Sequence, residues 1–232
     1  MGQGRFSARH PFTRAQVEKL VEAVTNERPS KRLLVNVTTA HRQNSIHQWV
    51  LKGVIRFDCM CGSDPRWMMH GWLLMRGEYE HMQGAVLTFV ELRPNGRCKA
   101  VTVTSVEGEF PVVDPLVVGR QYDRMVCITR SETRSTAMPG WDCLSSVTVD
   151  GADVQSYVFG DDWMVEEHVY ASDASKPEMP AKWVLGTALN LRTRKTVLSV
   201  FAADAIDKGP VAQAELPYPL PVGLHGTFHA RT

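Results

Sequence analysis

The chain has 232 residues, of which 44% are hydrophobic and 22% charged, enough apolar material to bury a core in one domain or two. Its 26 basic and 25 acidic residues leave a formal net charge of +1 and are well mixed, which argues against a nucleic-acid or anionic-membrane surface. No apolar run approaches the roughly 20 residues that a bilayer span needs, and "MGQGRFSARH" lacks the apolar core of a signal peptide, so a soluble cytoplasmic protein is the expectation.

In chain order, the first element is a helix over residues 13–27 in "FTRAQVEKLVEAVTNERP". Thr13 and Gln16 form a capping box, Val17, Leu20, Val21 and Val24 share one face, and Pro29 stops the run. Two apolar runs follow, "RLLVNVTTA" and "HQWVLKGVIRF". The Trp-, Met- and His-rich stretch from 67 to 82 has no clean period; it suits either core or the wall of an apolar tunnel. These features set off residues 1–84 as an irregular segment with one helix.

From residue 85 onward the pattern is that of short antiparallel strands. Asn95-Gly96 and Asp150-Gly151 each sit between two β-prone runs, the strongest short signal for a hairpin. A third hairpin centres near residue 193, and "GPVAQAEL" supplies a closing strand. Hairpin centres about 40 to 55 residues apart match the spacing of four-stranded propeller blades, a spacing that sandwiches also approach. The fold class read from residues 85–232 is therefore all-β, a meander of antiparallel blades.

Chemistry-bearing motifs are few. The five cysteines, at 59, 61, 98, 127 and 143, contain no C-x-x-C and indicate neither a disulfide framework nor a zinc knuckle, with Cys59 and Cys61 the one close pair. Gly-rich phosphate loops, a G-x-S-x-G elbow and H-E-x-x-H are absent. What stands out is "ELPYPLPVGLHGTFHART". Prolines at 217, 219 and 221 hold the chain extended, and Gly223 and Gly226 let it come close to another group, so His225 is presented in a fixed direction, as suits a metal ligand or a base.

Three segments, in order, carry a resemblance. "EGEFPVVDPLVVGRQYDRM", the acidic-strand-hairpin stretch beginning "FGDDWMVEEHVY", and "GPVAQAELPYPLPVGLHGTFH" are similar to the corresponding segments of the carotenoid cleavage oxygenases, the family of the retinal pigment epithelium protein and lignostilbene dioxygenase. The resemblance implies a seven-bladed β-propeller, here its C-terminal half, with a non-haem Fe(II) on its axis held by four histidines. Three of those histidines are steadied by glutamates. It implies His225 as the last iron ligand and Glu109 and Glu167 as orienting carboxylates. For another ligand His70 in "RWMMHGW" is the preferred match, with His41 and His47 as alternatives and the loss of that ligand a further one; His81 and His168 are read as surface or packing residues, and His229 has no family role.

The types suit the chemistry, because neutral imidazoles bind Fe(II) and a carboxylate on the other ring N–H fixes the tautomer. The implied activity is oxygen-dependent cleavage of a conjugated C=C in a carotenoid, apocarotenoid or stilbene to carbonyl products. The implied partners are an apolar conjugated small molecule and O₂, with room for peripheral membrane contact and for a homo-oligomer. The chain is about half the family's usual length, and the contrasting reading is an inactive half-propeller that binds or oligomerises. Without the resemblance, Glu109 is a turn carboxylate and Glu167 one of an acidic pair with Glu166.

Overall fold

The computed structural model describes residues 48–51, 54–62, 73–74, 76–79, 84–93, 95, 97–173, 175–176, 178–223 and 225–229. The helix expected over 13–27, and His41, His47, His70 and His81, lie outside the described residues. Eleven strands make up the described chain: β1 (Gln48–Leu51), β2 (Val54–Cys61), β3 (Val86–Leu92), β4 (Cys98–Val112), β5 (Arg124–Thr129), β6 (Cys143–Thr148), β7 (Val154–Val158), β8 (Trp163–Ala171), β9 (Trp183–Asn190), β10 (Lys195–Ala202) and β11 (Pro210–Glu215). Short 3-10 turns at Pro115–Val117 and Ile206–Lys208 interrupt them. No helix among the described residues is long and apolar enough to cross a membrane.

Neighbours in sequence are neighbours in the sheets. One sheet runs β1 to β7 in chain order, and a second runs β11-β10-β9-β8. All the pairings are antiparallel. The seven-stranded sheet is two meanders sharing a strand. The first part of β4 pairs with β3 from Leu92↔Cys98, while its last part pairs with β5 at Gly108↔Thr129 and Glu109↔Ile128. Residues between Thr102 and Glu107 are extra to the β3 register, so β4 can leave one sheet and open the next. β1 and β2 stand before residue 84 and pair with β3, so the first meander crosses the boundary drawn at 84.

The turns follow their side-chain chemistry. Asn95 Oδ1 accepts the Arg97 N–H at 3.0 Å, and Asp150 Oδ1 accepts the Ala152 N–H at 3.0 Å, the local bonds for which Asn and Asp are favoured in turns. Asn190 Oδ1 takes the N–H groups of Arg192 at 3.0 Å and Thr193 at 2.8 Å in the third hairpin. In "EFPVVDP", Asp114 accepts the Leu116 N–H at 2.9 Å through Oδ1 and the Ala181 N–H at 2.6 Å through Oδ2. That carboxylate therefore ties the entry to β5 against the loop between β8 and β9.

The meanders pack face on face. Met60, Ala85, Leu87, Tyr122, Met125 and Cys127 join the first meander to the second. Val126 and Leu144 of the second meet Val184, Phe201 and Ile206 of the third. Burying each such large side chain is worth about 1.5–3 kcal/mol relative to exposure, so these seams hold the meanders together.

Candidate functional site

The site grows from an irregularity in β8. Val165 pairs with Ala188 but His168 with Gly186, so Glu166 and Glu167 together oppose the single residue Thr187. This is a β-bulge, a device that breaks the alternation of side chains and re-aims them. Two adjacent carboxylates can then both reach the segment that closes the chain. Glu166 takes the Thr187 hydroxyl on Oε2 and the Gly223 N–H on Oε1 at 3.1 Å. Glu167 takes the Gly226 N–H on Oε2 at 2.6 Å, and its Oε1 lies 3.4 Å from His225 Nδ1.

The His225–Glu167 contact sets the imidazole's chemistry. With Glu167 ionised, its carboxylate can only accept, which puts the ring proton on Nδ1 and leaves Nε2 its lone pair. The Glu167 side chain is 3% exposed and that of His225 41%, so the carboxylate is fixed in the interior while the ring is left on an open side. Burial pushes the Glu167 carboxyl above the ordinary range, and the Gly226 N–H and His225 pull against that shift. The Phe110 ring meets His225 edge-on, with centroids 5.2 Å apart at 86°.

Phe110 reaches that position through a second irregularity. Its φ of +52° is a left-handed conformation that a bulky residue adopts at a cost, and the β4–β5 register shifts between Glu109 and Val112. Pro111, which has no N–H for the ladder, follows it. Glu109, on the other side of Phe110, accepts the Trp141 Nε1–H on Oε2 at 3.2 Å. Burial raises its carboxyl to about 7, and the Trp141 bond works against that rise.

The structure thus brings together His225 and Glu167, with Glu109 one residue from the ring that touches His225. His168 is packed inside. It is 2% exposed, its Nδ1 lies 2.8 Å from the Glu166 carbonyl, and it sits between Phe159 and Phe201 at ring-centroid distances of 6.1 and 5.8 Å. Burial lowers its pKa to about 4, so the ring is neutral, and its Nε2 has no hydrogen-bond partner. His229 is exposed.

One expectation needs adjusting. Among the described residues, the glycines beside His225 are not demanded by crowding: a Cβ at Gly226 would meet none of them within 4 Å, and one at Gly223 would meet Glu166 Oε2 at 3.9 Å. Their described role is to offer the N–H groups that the two glutamates accept. Glu166 is the member of this cluster that sequence reasoning passed over. Its signal was the Glu166-Glu167 doublet inside a strand, where alternation ought to send one carboxylate to the other face.

Among the described residues no group of three or more His, Cys, Asp or Glu side chains could hold a metal ion. His225 Nε2 is ligand-type chemistry, one donor of the kind such a site would use. The described residues do not complete it, so no chemical step can be drawn through a metal here.

Antiparallel four-stranded meanders in chain order, packed face on face, are blades of a β-propeller. The chain belongs to the retinal pigment epithelial membrane protein family, whose sequence pattern matches residues 30–230. Its fold is similar to that of the lignostilbene dioxygenase of Pseudomonas brassicacearum, with a TM-score of 0.62 and 16% identity over 77% of this chain and 39% of that one. It is also similar to the cobalt-substituted apocarotenoid oxygenase of Synechocystis, with a TM-score of 0.66 and 17% identity over 81% of this chain and 39% of that one. The chain therefore spans about two fifths of the length of these relatives. No curated protein matches it by sequence.

Proposed function

We propose that this chain supplies the closing corner of a non-haem Fe(II) site, in an oxygenase that splits a conjugated C=C bond of a carotenoid, apocarotenoid or stilbene-like molecule into carbonyl products. The observation that carries the reading is the His225–Glu167 pair, a partly exposed imidazole backed by a buried carboxylate that is itself held by the Gly226 N–H. Family membership and the propeller fold support the reaction class.

In this reading His225 presents Nε2 as a ligand, and Glu167 fixes the tautomer and raises the ring's basicity. Glu109, held by Trp141, does the same for a second histidine, for which His70 is the first choice and His41 and His47 the others. Glu166 and Thr187 keep the closing segment seated. Bound Fe(II) would supply activation of O₂; the chain's own share is to orient donors and exclude water with Phe110 and the aromatic cluster beside it. The rest of the ligand set comes from residues outside the described ones.

Iron titration of the parent, His225→Ala and His229→Ala, followed by oxygen-dependent cleavage of a stilbene and a carotenoid, tests the reading. Loss of binding in His225→Ala with retention in His229→Ala is expected. Equal binding by the parent and His225→Ala would remove His225 from the site. A parent that binds no iron favours the inactive half-propeller.

A further inference from the structure

Away from that site, β2 carries a second piece of chemistry. Alternation along the strand puts Phe57, Cys59 and Cys61 on one face and Asp58 and Met60 on the other. Phe57, Cys59 and Val90 form a small cluster, with Cys61 packed at its border. Cys59 is 3% exposed, Cys61 is partly exposed, and their sulfurs lie 3.5 Å apart. Neither cysteine is in a disulfide.

We propose that Cys59 and Cys61 form a peroxide-reactive dithiol, with Cys61 the attacking thiol and Cys59 the resolving one. The Cys61 thiolate attacks one oxygen of hydrogen peroxide, the O–O bond breaks, and hydroxide leaves with the electron pair. Cys61 becomes a sulfenic acid. The Cys59 thiol then attacks that sulfur and gives up its proton, the S–O bond breaks, water leaves and a Cys59–Cys61 disulfide forms. The peroxide is reduced by two electrons and the two thiols are oxidised by two.

Accessibility and acidity divide the roles this way. Cys61 is the accessible member of the pair, and Cys59 lies behind it at contact distance. The Cys61 thiol is lowered to about 7, first by the hydrogen bond with Cys59, against the opposing effect of burial. Cys127 and Cys143, by contrast, are raised to about 12 by burial and are inert as nucleophiles near neutral pH.

A metal is the weaker occupant. Two sulfurs leave a zinc or iron ion short of donors, and no third ligand-type group joins them among the described residues. Strand geometry also shapes the product. Same-face neighbours stand about 6.6–6.8 Å apart along a strand, at the upper end of the Cα separation a disulfide spans, so the bond forms under strain and is readily reduced again.

The test is to treat the full chain with limiting hydrogen peroxide, alkylate the remaining thiols and map peptides. Cleavage after Arg56 and Arg66 leaves both cysteines in one fragment. That fragment is expected to lose two hydrogens and to regain both thiols with dithiothreitol, whereas oxidation of Met60 would add one oxygen instead. In Cys59→Ser, which lacks the resolving thiol, dimedone should trap the sulfenic acid at Cys61. In Cys61→Ser, Cys59 should react at least about tenfold more slowly, because it is buried. Consumption of Cys127 or Cys143 as fast as Cys61 would overturn the proposal. So would a folded Cys59→Ser protein that gives no adduct, or a parent in which Cys61 stops at sulfenic or sulfinic acid with Cys59 still alkylatable.

Discussion

Asp58 in the first meander and Glu167 in the third are both carboxylates that burial pushes above the ordinary range, and they differ in what faces them. Asp58 is 0% exposed, takes one hydroxyl, from Tyr122, on Oδ1, and has an Oδ2 with no partner, so its carboxyl is raised to about 8 and stays protonated near neutral pH. Glu167 has an N–H and an imidazole from the closing segment on its two oxygens. The same desolvation therefore yields a neutral packing group in one place and an orienting group in the other. Donors decide which, and those on Glu167 come from a segment nearly 60 residues away in sequence, as the 58-residue separation of Glu167 and His225 shows.

The largest effect should come from breaking the frame that holds Glu167. A Cβ at Gly186 would stand 2.4 and 2.5 Å from His168 Cγ and Nδ1 and 2.6 Å from the Glu167 carbonyl oxygen. Gly186→Ala should cost about 3 kcal/mol, read as a melting point lower by roughly 10 °C. Glu167 should lose its hold on the closing segment at the same time. An unchanged melting point would mean that the strand pairing of β8 and β9 is looser than described.

The Asp58 side of the comparison is sharpened by pH. Its folded pKa lies above its unfolded one, so its contribution to stability is full below about 4 and is lost as pH rises to about 8. Glu109, raised to about 7, acts in the same direction, while His168, lowered to about 4, makes stability rise with pH up to its unfolded value near 6.5. Cys61, lowered to about 7, opposes the fall above that pH. These other groups are common to the parent and Asp58→Asn, so the difference between the two isolates Asp58. Between pH 6.5 and 8 the parent should lose up to about 2 kcal/mol more than the variant in denaturant titrations, by the usual 1.4 kcal/mol per unit. Parallel pH curves would show that Asp58 is ionised in the fold.

The smallest effect on stability is expected at the Glu167 carboxylate itself. Glu167→Gln keeps the shape and an acceptor for the Gly226 N–H, so global stability should change by less than about 1 kcal/mol. Hydrogen exchange at Gly226 should stay protected, while nitrogen NMR of His225 should show the two ring tautomers mixing, because an amide can donate as well as accept. An imidazole that keeps the single tautomer in the variant would assign its orientation to Phe110 rather than to Glu167.

Much of the architecture was local and hence readable. Asn95, Asp150 and Asn190 bond to backbone groups two or three residues away, so their hairpins are written in short windows. The closing motif around His225 was readable for the same reason, as was the resemblance of three ordered segments. The sharing of β4 between two meanders was not, because an uninterrupted β-prone run carries no mark of where its partner changes.

The sequence by itself determined the strand-and-turn grammar, the family, and His225, Glu109 and Glu167 as a candidate set, since each rests on residue type and order. Tertiary structure alone decided which groups meet. The bulge opposite Thr187 sends Glu166 and Glu167 to one side, and the left-handed Phe110 turns its ring onto His225. It also made His168 a neutral core residue and left His225 half open. Register shifts and burial are set by the packing of distant strands, and one residue of slip along a strand moves a side chain to the other face.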